Sequence, residues 1–134
     1  MISKGNKVYS IFSGKCPKCH EELMYKNKNP YILISALELN NNCSKCGFVY
    51  QIEPAFFYGS MYVSYAVGIA FAVAAFVISY IILETSKLTT FISIVVTLIA
   101  FLPIIGRLSR NIWINIFVHY DKNAISKYIS KKND

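Results

Sequence analysis

The chain has 134 residues, 54% of them hydrophobic, with a net charge of +7 and a mean hydropathy of +0.40. That is length for one ordinary domain, but the apolar residues are concentrated in two uncharged runs, 54–83 and 88–106. A soluble hairpin of two such helices would need cover on every side. The rest of the chain is too polar to supply it, so two transmembrane helices are expected, since about 20 apolar residues cross a bilayer.

In chain order, the first stretch, MISKGNKVYSIFSGK, has neither an apolar core nor a small-residue cleavage site. It does not read as a removable signal peptide, and the first membrane helix is expected to serve as the insertion signal. Cys16, Cys19, Cys43 and Cys46 follow as CPKCH and CSKCG, with 23 residues between the pairs. Two C-x2-C turns at about this separation form a zinc pattern: each turn offers two thiolates, and together they make a tetrahedron. Gly47 gives the second knuckle a permissive backbone. His20 holds the equivalent place in the first, and His tolerates positive φ better than most residues.

One structural zinc ion per chain, held by the four cysteines, is expected. A single iron, copper(I) or a metal-free dithiol stay open as alternatives. Disulfides are disfavoured in a reducing compartment, and His20 is not expected to ligate because the set is already complete. Lys15, Lys18 and Lys45 flank the cysteines, either offsetting the negative charge of four thiolates on Zn²⁺ or simply as lysines of a cytoplasmic face.

A closed four-cysteine site is structural rather than catalytic, and a module of 53 residues is too small to fold on core burial alone. YILISALEL, residues 31–39, is ambiguous between a buried strand and a short helix. FVYQIE, residues 48–53, alternates like a strand. The expected architecture is a cytoplasmic zinc-ribbon or rubredoxin-like module over 1–53, then an α-helical transmembrane hairpin over 54–106, with helices at about 57–83 and 88–106. A cytoplasmic interfacial helix and a loose polar tail over 107–134 complete it.

Pro54 suits the first turn of a helix. Phe56, Phe57, Tyr58, Tyr62 and Tyr65 read as an interfacial aromatic belt, although the three tyrosines share one helical face that also suits a partner. Ser60, Ser64, Gly68 and Ala72 form a small-residue stripe expected to pack closely, on the second helix or on a partner. Pro103 is a candidate kink. Arg107 and Arg110 are expected to snorkel to the interface. Leu108, Ile112, Ile116 and Tyr120 share one side of a helix that either continues outward or lies on the surface. His119 reads as an ordinary interfacial residue. Glu53 should lie at the depth of the two arginines, so an ion pair with them is one expectation and separate contacts to headgroups the other.

Residues 1–53 hold seven Lys, the ETSK turn one, and residues 107–134 six Lys or Arg. Positive segments stay in the cytoplasm, so both termini are placed there. Contact with anionic lipid headgroups follows from the same charges, and the net charge needs no nucleic acid to explain it.

The strings KCPKCHEEL, CSKCGFVYQIEPAFFYGSMYVSYA and RLSRNIWINIFVHYD, in this order, resemble the domain of unknown function 983 family over roughly residues 12 to 121. The form is similar to Bacteroidetes members. The resemblance implies a bacterial inner-membrane protein with paired C-x2-C motifs, ligands Cys16, Cys19, Cys43 and Cys46, and a two-helix hairpin. It also implies a neighbourhood of cytochrome oxidase assembly, with no established activity. Two departures, His20 for the usual glycine and Ser44 for the frequent proline, bear on knuckle geometry rather than on the ligand set.

The sequence carries no Ser/His/Asp set, no facing carboxylate pair and no phosphate loop, and a non-enzyme without a small-molecule substrate is expected. The two apolar runs hold no ionisable group of the kind that lines transport paths. The first functional expectation is a non-catalytic accessory or assembly protein docking on a larger integral membrane complex. A metal or thiol handling factor for cofactor insertion is the second. A membrane-tethered zinc ribbon binding nucleic acid is the third, disfavoured because residues 1–53 carry only seven Lys against four Glu.

Overall fold

The structure, a computed structural model, describes residues 5–32, 34–52 and 55–134. Glu53 and Pro54 lie outside the described residues, and with them the expected Glu53–arginine pair and the role of Pro54.

The chain begins with a helix that the sequence pattern did not announce, α1 (Lys7–Ser13). Asn6 caps it by accepting the Val8 N–H at 3.4 Å, and Gly14 ends it at φ 65°. Cap and stop are ordinary signals, but seven residues are too few for periodicity to stand out.

Residues 15–52 contain three isolated antiparallel bridges, Lys15↔Leu23, Tyr25↔Leu39 and Asn42↔Val49, in place of the expected strands. No longer ladder forms among the described residues. Each bridge closes around a knuckle or a loop, and the chain must then turn to bring its cysteines to one point. FVYQIE accordingly contributes a single bridge at Val49. The described residues of YILISALEL form turns ending in the bridge at Leu39, neither strand nor helix, with Tyr31, Ile32 and Ile34 exposed.

After the module come α2 (Tyr58–Phe76), one π-helical stretch over Val77–Ile82, and α3 (Lys87–Phe117). Both long helices are apolar and long enough to cross a membrane. The wide π turn frees the Ser79 carbonyl, which accepts from the Thr85 N–H at 3.1 Å and its Oγ1 at 2.7 Å, while Ser79 Oγ donates to Ser93 Oγ at 2.9 Å. These hydroxyls close the hairpin tip, and Ser86 caps α3 by accepting from the Thr89 N–H.

Of the two expected courses beyond Gly106, continuation is the observed one: α3 runs unbroken through Pro103 to Phe117. Its buried face there is Asn111, Ile114, Asn115 and Val118, while on the Leu108–Ile112–Ile116 side Ile116 is exposed. The inward face is part polar because the front module hydrogen-bonds to it. The tail also departs from expectation. It forms a helix, α4 (Ala124–Asn133), because the module gives it something to pack on.

Phe56 and Phe57 are half-buried. Phe56 packs against Phe57, Trp113 and Phe117, with centroids 5.2, 6.3 and 5.6 Å away, and Trp113 Nε1 donates to the Phe56 carbonyl at 2.7 Å. Tyr58, Tyr62 and Tyr65 stay on the open face, 68–81% exposed. Ser60, Ser64, Gly68 and Ala72 lie on the covered side, continued by Ala75 and Ser79.

Packing along that side is tight only near the junction. A Cβ on Gly59 would fall on the Trp113 indole, whereas one on Gly68 meets nothing within 4 Å. Gly59→Ala should therefore cost about 1–3 kcal/mol through overpacking. Gly68→Ala should be neutral or gain up to about 1 kcal/mol of helix propensity. Melting temperatures of the two variants in one detergent check this, and equal losses would contradict it.

Candidate metal centre

The two knuckles repeat one backbone pattern. The N–H four residues after the leading cysteine returns to that cysteine's carbonyl, His20 to Cys16 at 2.9 Å and Gly47 to Cys43 at 2.8 Å. A second bond closes each turn from the leading cysteine's own N–H, Cys16 to the Glu22 carbonyl at 2.7 Å and Cys43 to the Phe48 carbonyl at 2.8 Å. Both turn residues are left-handed, His20 at φ 57° and Gly47 at φ 67°. His20 thus takes the conformation for which glycine is usual.

This geometry brings all four predicted ligands together. Cys16, Cys19, Cys43 and Cys46 are buried, and their sulfurs lie within 4.8 Å of one another. Cys16 Sγ is 3.8 Å from Cys46 Sγ, and Cys19 Sγ is 3.6 Å from Cys43 Sγ. A tetrahedral ion with bonds of about 2.3 Å needs sulfurs about 3.8 Å apart, so the donor set fits one metal ion. Disulfide bonds, at about 2.05 Å, do not fit these separations, and all four cysteines are free. Burial, together with the other three sulfurs, pushes the Cys46 thiol up. A bound cation reverses that balance and releases protons.

The surroundings add several groups. Tyr50 is fully buried, and its hydroxyl lies near the sulfurs of Cys16 and Cys43 but makes no hydrogen bond within the described residues. Burial and charge on those two sulfurs push the phenol up, so it keeps its proton as a donor. Glu22 joins the knuckles: its carboxylate accepts from the Ser44 N–H at 2.6 Å and from Ser44 Oγ at 2.7 Å. Desolvation raises the Glu22 pKa, but the Ser44 and Cys43 bonds and the Lys45 charge outweigh it and hold the group below its ordinary value. The departure at Ser44 is thereby explained, since a proline there would lack both donors. Of the flanking lysines, Lys15 Nζ donates to Tyr9 Oη at 2.9 Å and Lys18 lies 5.9 Å over the Phe48 ring.

The imidazole of His20 is no ligand. It packs against Tyr120, with centroids 4.5 Å apart, and its Nδ1 accepts the Gly5 N–H at 3.3 Å. Burial, with the Lys15 charge, outweighs the Pro17 carbonyl and holds its pKa below the usual histidine value.

The module is fixed to α3 by the two arginines expected to snorkel. Arg107 donates to the carbonyls of Ala36, Lys28, Asn27 and Asn29 at 2.6–3.2 Å and lies 4.5 Å over the Tyr25 ring. Arg110 donates to the Leu37 carbonyl at 2.7 Å. These contacts occupy the loop carbonyls that a strand would have used. Deeper in, Tyr25 Oη donates to Asn111 Oδ1 at 2.9 Å, Asn111 Nδ2 to the Ile11 carbonyl at 2.8 Å, and Asn115 Nδ2 to Ser10 Oγ at 3.2 Å. On the far side the Asp121 N–H donates to the Lys18 carbonyl at 2.9 Å, and the Tyr128 ring of α4 occupies the space a Cβ on Gly47 would need. The core accordingly runs from the four cysteines through Tyr50 to Ile114, Val118 and Ala124.

Tyr50, Glu22, Asn111 and Asn115 are the residues of this centre that the sequence did not single out. Only Tyr50 carried a signal, as an apolar position of the FVYQIE alternation. A small thiolate-lined module docked on the end of an apolar helical hairpin defines the class of protein. The family described as "Protein of unknown function (DUF983)" matches residues 34–117, more than half of the chain, and the chain belongs to that family. No curated protein and no solved structure matches it.

Tyr50→Phe should keep the metal stoichiometry and weaken retention about 10-fold, the usual scale for an outer-shell partner. The same variant should shift the sulfur-to-metal absorption of the Co²⁺-substituted protein. An unchanged spectrum would show that the hydroxyl does not touch the sulfurs.

Proposed function

We propose that the chain is a non-catalytic accessory or assembly protein of the bacterial inner membrane. In this reading a structural zinc ion holds the front module rigid, and the hairpin packs into a larger integral membrane complex. The observation that carries it is the docking. Module, α3 end and α4 share one core, so the metal centre serves to fix a surface at the end of the hairpin. A buried four-sulfur site that spends every position on protein ligands is structural in kind.

The helices support the membrane part of the proposal. In their most apolar stretches only 11% and 17% of residues are buried within the chain, and surface this apolar needs lipid or protein around it. The Tyr58–Tyr62–Tyr65 face is the partner surface in this proposal. Metal or thiol handling is the second reading, favoured by one observation: Cys46 lines an open cleft of about 500 Å³ with Lys18, Lys127 and Lys131.

Elemental analysis of the purified protein should give about one zinc per chain, retained under mild chelation. Iron with visible colour would overturn the zinc assignment, and ready loss to the chelator would favour the handling role. Cys43→Ser should unfold the module, because metal binding supplies its folding energy. A folded, protease-resistant front module in that variant would contradict the structural role.

With both termini in the cytoplasm, a membrane-impermeant thiol reagent should label Thr85→Cys in intact cells and miss Asn133→Cys. The reverse pattern would overturn the topology. In mild detergent the native protein should co-purify with integral membrane subunits, and Tyr62→Ala with Tyr65→Ala should lose them without loss of zinc. Undiminished co-purification would remove the tyrosine face from the proposal.

A further inference from the structure

A cavity of about 410 Å³ opens between α1, the loop 27–30 and the two long helices. Its volume lies in the range of about 300–1,000 Å³ of small-molecule sites. One end is apolar, with Phe71 of α2 and Ile104 and Leu108 of α3 facing Ile11 and Phe12 of α1. The other end carries Lys28 and Arg107, and no acidic residue is among the described residues that line it. Arg107 gives its donors to neutral carbonyls, and no acidic partner opposes its charge among the described residues. The Lys28 side chain is exposed and has no partner among the described residues.

A second observation gives the depth of this rim. Phe12 on α1 is 72% exposed, and Ile34, on the loop whose carbonyls Arg107 holds, is 97% exposed. Apolar side chains bared on α1, which lines the cavity, and on the turn that follows loop 27–30 belong at a lipid interface rather than in water. The apolar end meanwhile reaches along α2 and α3 into the helices long enough to span a membrane.

From this juxtaposition we propose that the cavity is a binding site for one anionic phospholipid of the bilayer, its phosphate against Lys28 and Arg107 and an acyl chain along Ile104, Leu108 and Phe71. Two cations without a counter-ion among the described residues, lining a largely apolar cavity, match a ligand with one negative head and a long apolar tail. A neutral or zwitterionic lipid would fill the slot but leave the charge uncompensated. The proposal rests on the membrane reading above. It adds that the headgroup is selected, and that the bound lipid bridges α1 and the loop to the hairpin.

The full-length protein, reconstituted in phosphatidylcholine nanodiscs, is irradiated with trace photoreactive lipid whose diazirine sits on the acyl chain and whose head is either phosphatidylglycerol or phosphatidylcholine. Labelled residues are mapped by mass spectrometry. The phosphatidylglycerol probe should label Phe12, Ile104 or Leu108 several-fold more than the phosphatidylcholine probe. Lys28→Ala should remove about fivefold of that labelling, the scale of one cation near an anionic head, and leave zinc content unchanged. Ile104→Trp, which fills the apolar end, should abolish labelling of Phe12 by both probes.

Labelling at Val96 and Ile99, exposed on α3 outside the cavity, reports insertion itself. Strong signal there, with cavity labelling indifferent to headgroup and to Lys28→Ala, would overturn the lipid site alone. Absence of signal at Val96 and Ile99 would overturn the membrane reading and the lipid site with it.

Discussion

Four cysteine sulfurs are held within 4.8 Å of one another in a buried pocket, where burial and the other three sulfurs push the Cys46 thiol up. Nearly everything in residues 15–52 follows from that constraint. The knuckles turn back on their leading cysteines, and three single bridges take the place of a sheet because no segment runs straight for long. Tyr50 is buried with its hydroxyl near the sulfurs and without a hydrogen bond among the described residues, a costly position for an oxygen unless the sulfur cluster takes its proton as an acceptor. Glu22 and Ser44 tie one knuckle to the other across the chain. A module with so little regular structure depends for its order on the cysteine cluster and on bonds to the rest of the chain.

The second constraint is the end of α3. A helix leaving an apolar run normally gives its polar groups to water. Here Arg107, Arg110, Asn111 and Asn115 give theirs to the loop, to α1 and to Tyr25. Bonds to a charged donor are worth more than neutral ones, and Arg107 makes four of them. The module is thereby set at a fixed angle to the hairpin, and α4 closes the other side through Tyr128 over Gly47. The surfaces that such a protein can offer, the tyrosine face of α2, the cleft beside Cys46 and the cavity below Arg107, keep fixed positions relative to one another. A partner or a lipid that binds one of them meets a preformed shape, which lowers the ordering cost of binding.

The sequence by itself determined the candidate ligand set, because C-x2-C turns impose their geometry locally and two such turns can bring four sulfurs to one point. It determined the two long helices, because 30 and 19 uncharged residues have no other economical conformation. It placed His20 in the position of Gly47, a correspondence that lives within five residues. What lay beyond it was decided over long separations. Whether YILISALEL became strand, helix or turns depended on Arg107 and Arg110 reaching its carbonyls at Ala36 and Leu37 from about seventy residues away. Whether AISKYISKKND stayed loose depended on a glycine in the second knuckle leaving room for Tyr128. Arg107 and Arg110 looked like interfacial anchors because snorkelling is the default for a lone arginine at a helix end; only the folded module supplied carbonyls as a better acceptor. Local chemistry fixed the cysteine cluster and the two long helices, and the contacts between them, which no pattern within one segment encodes, fixed how the two are joined.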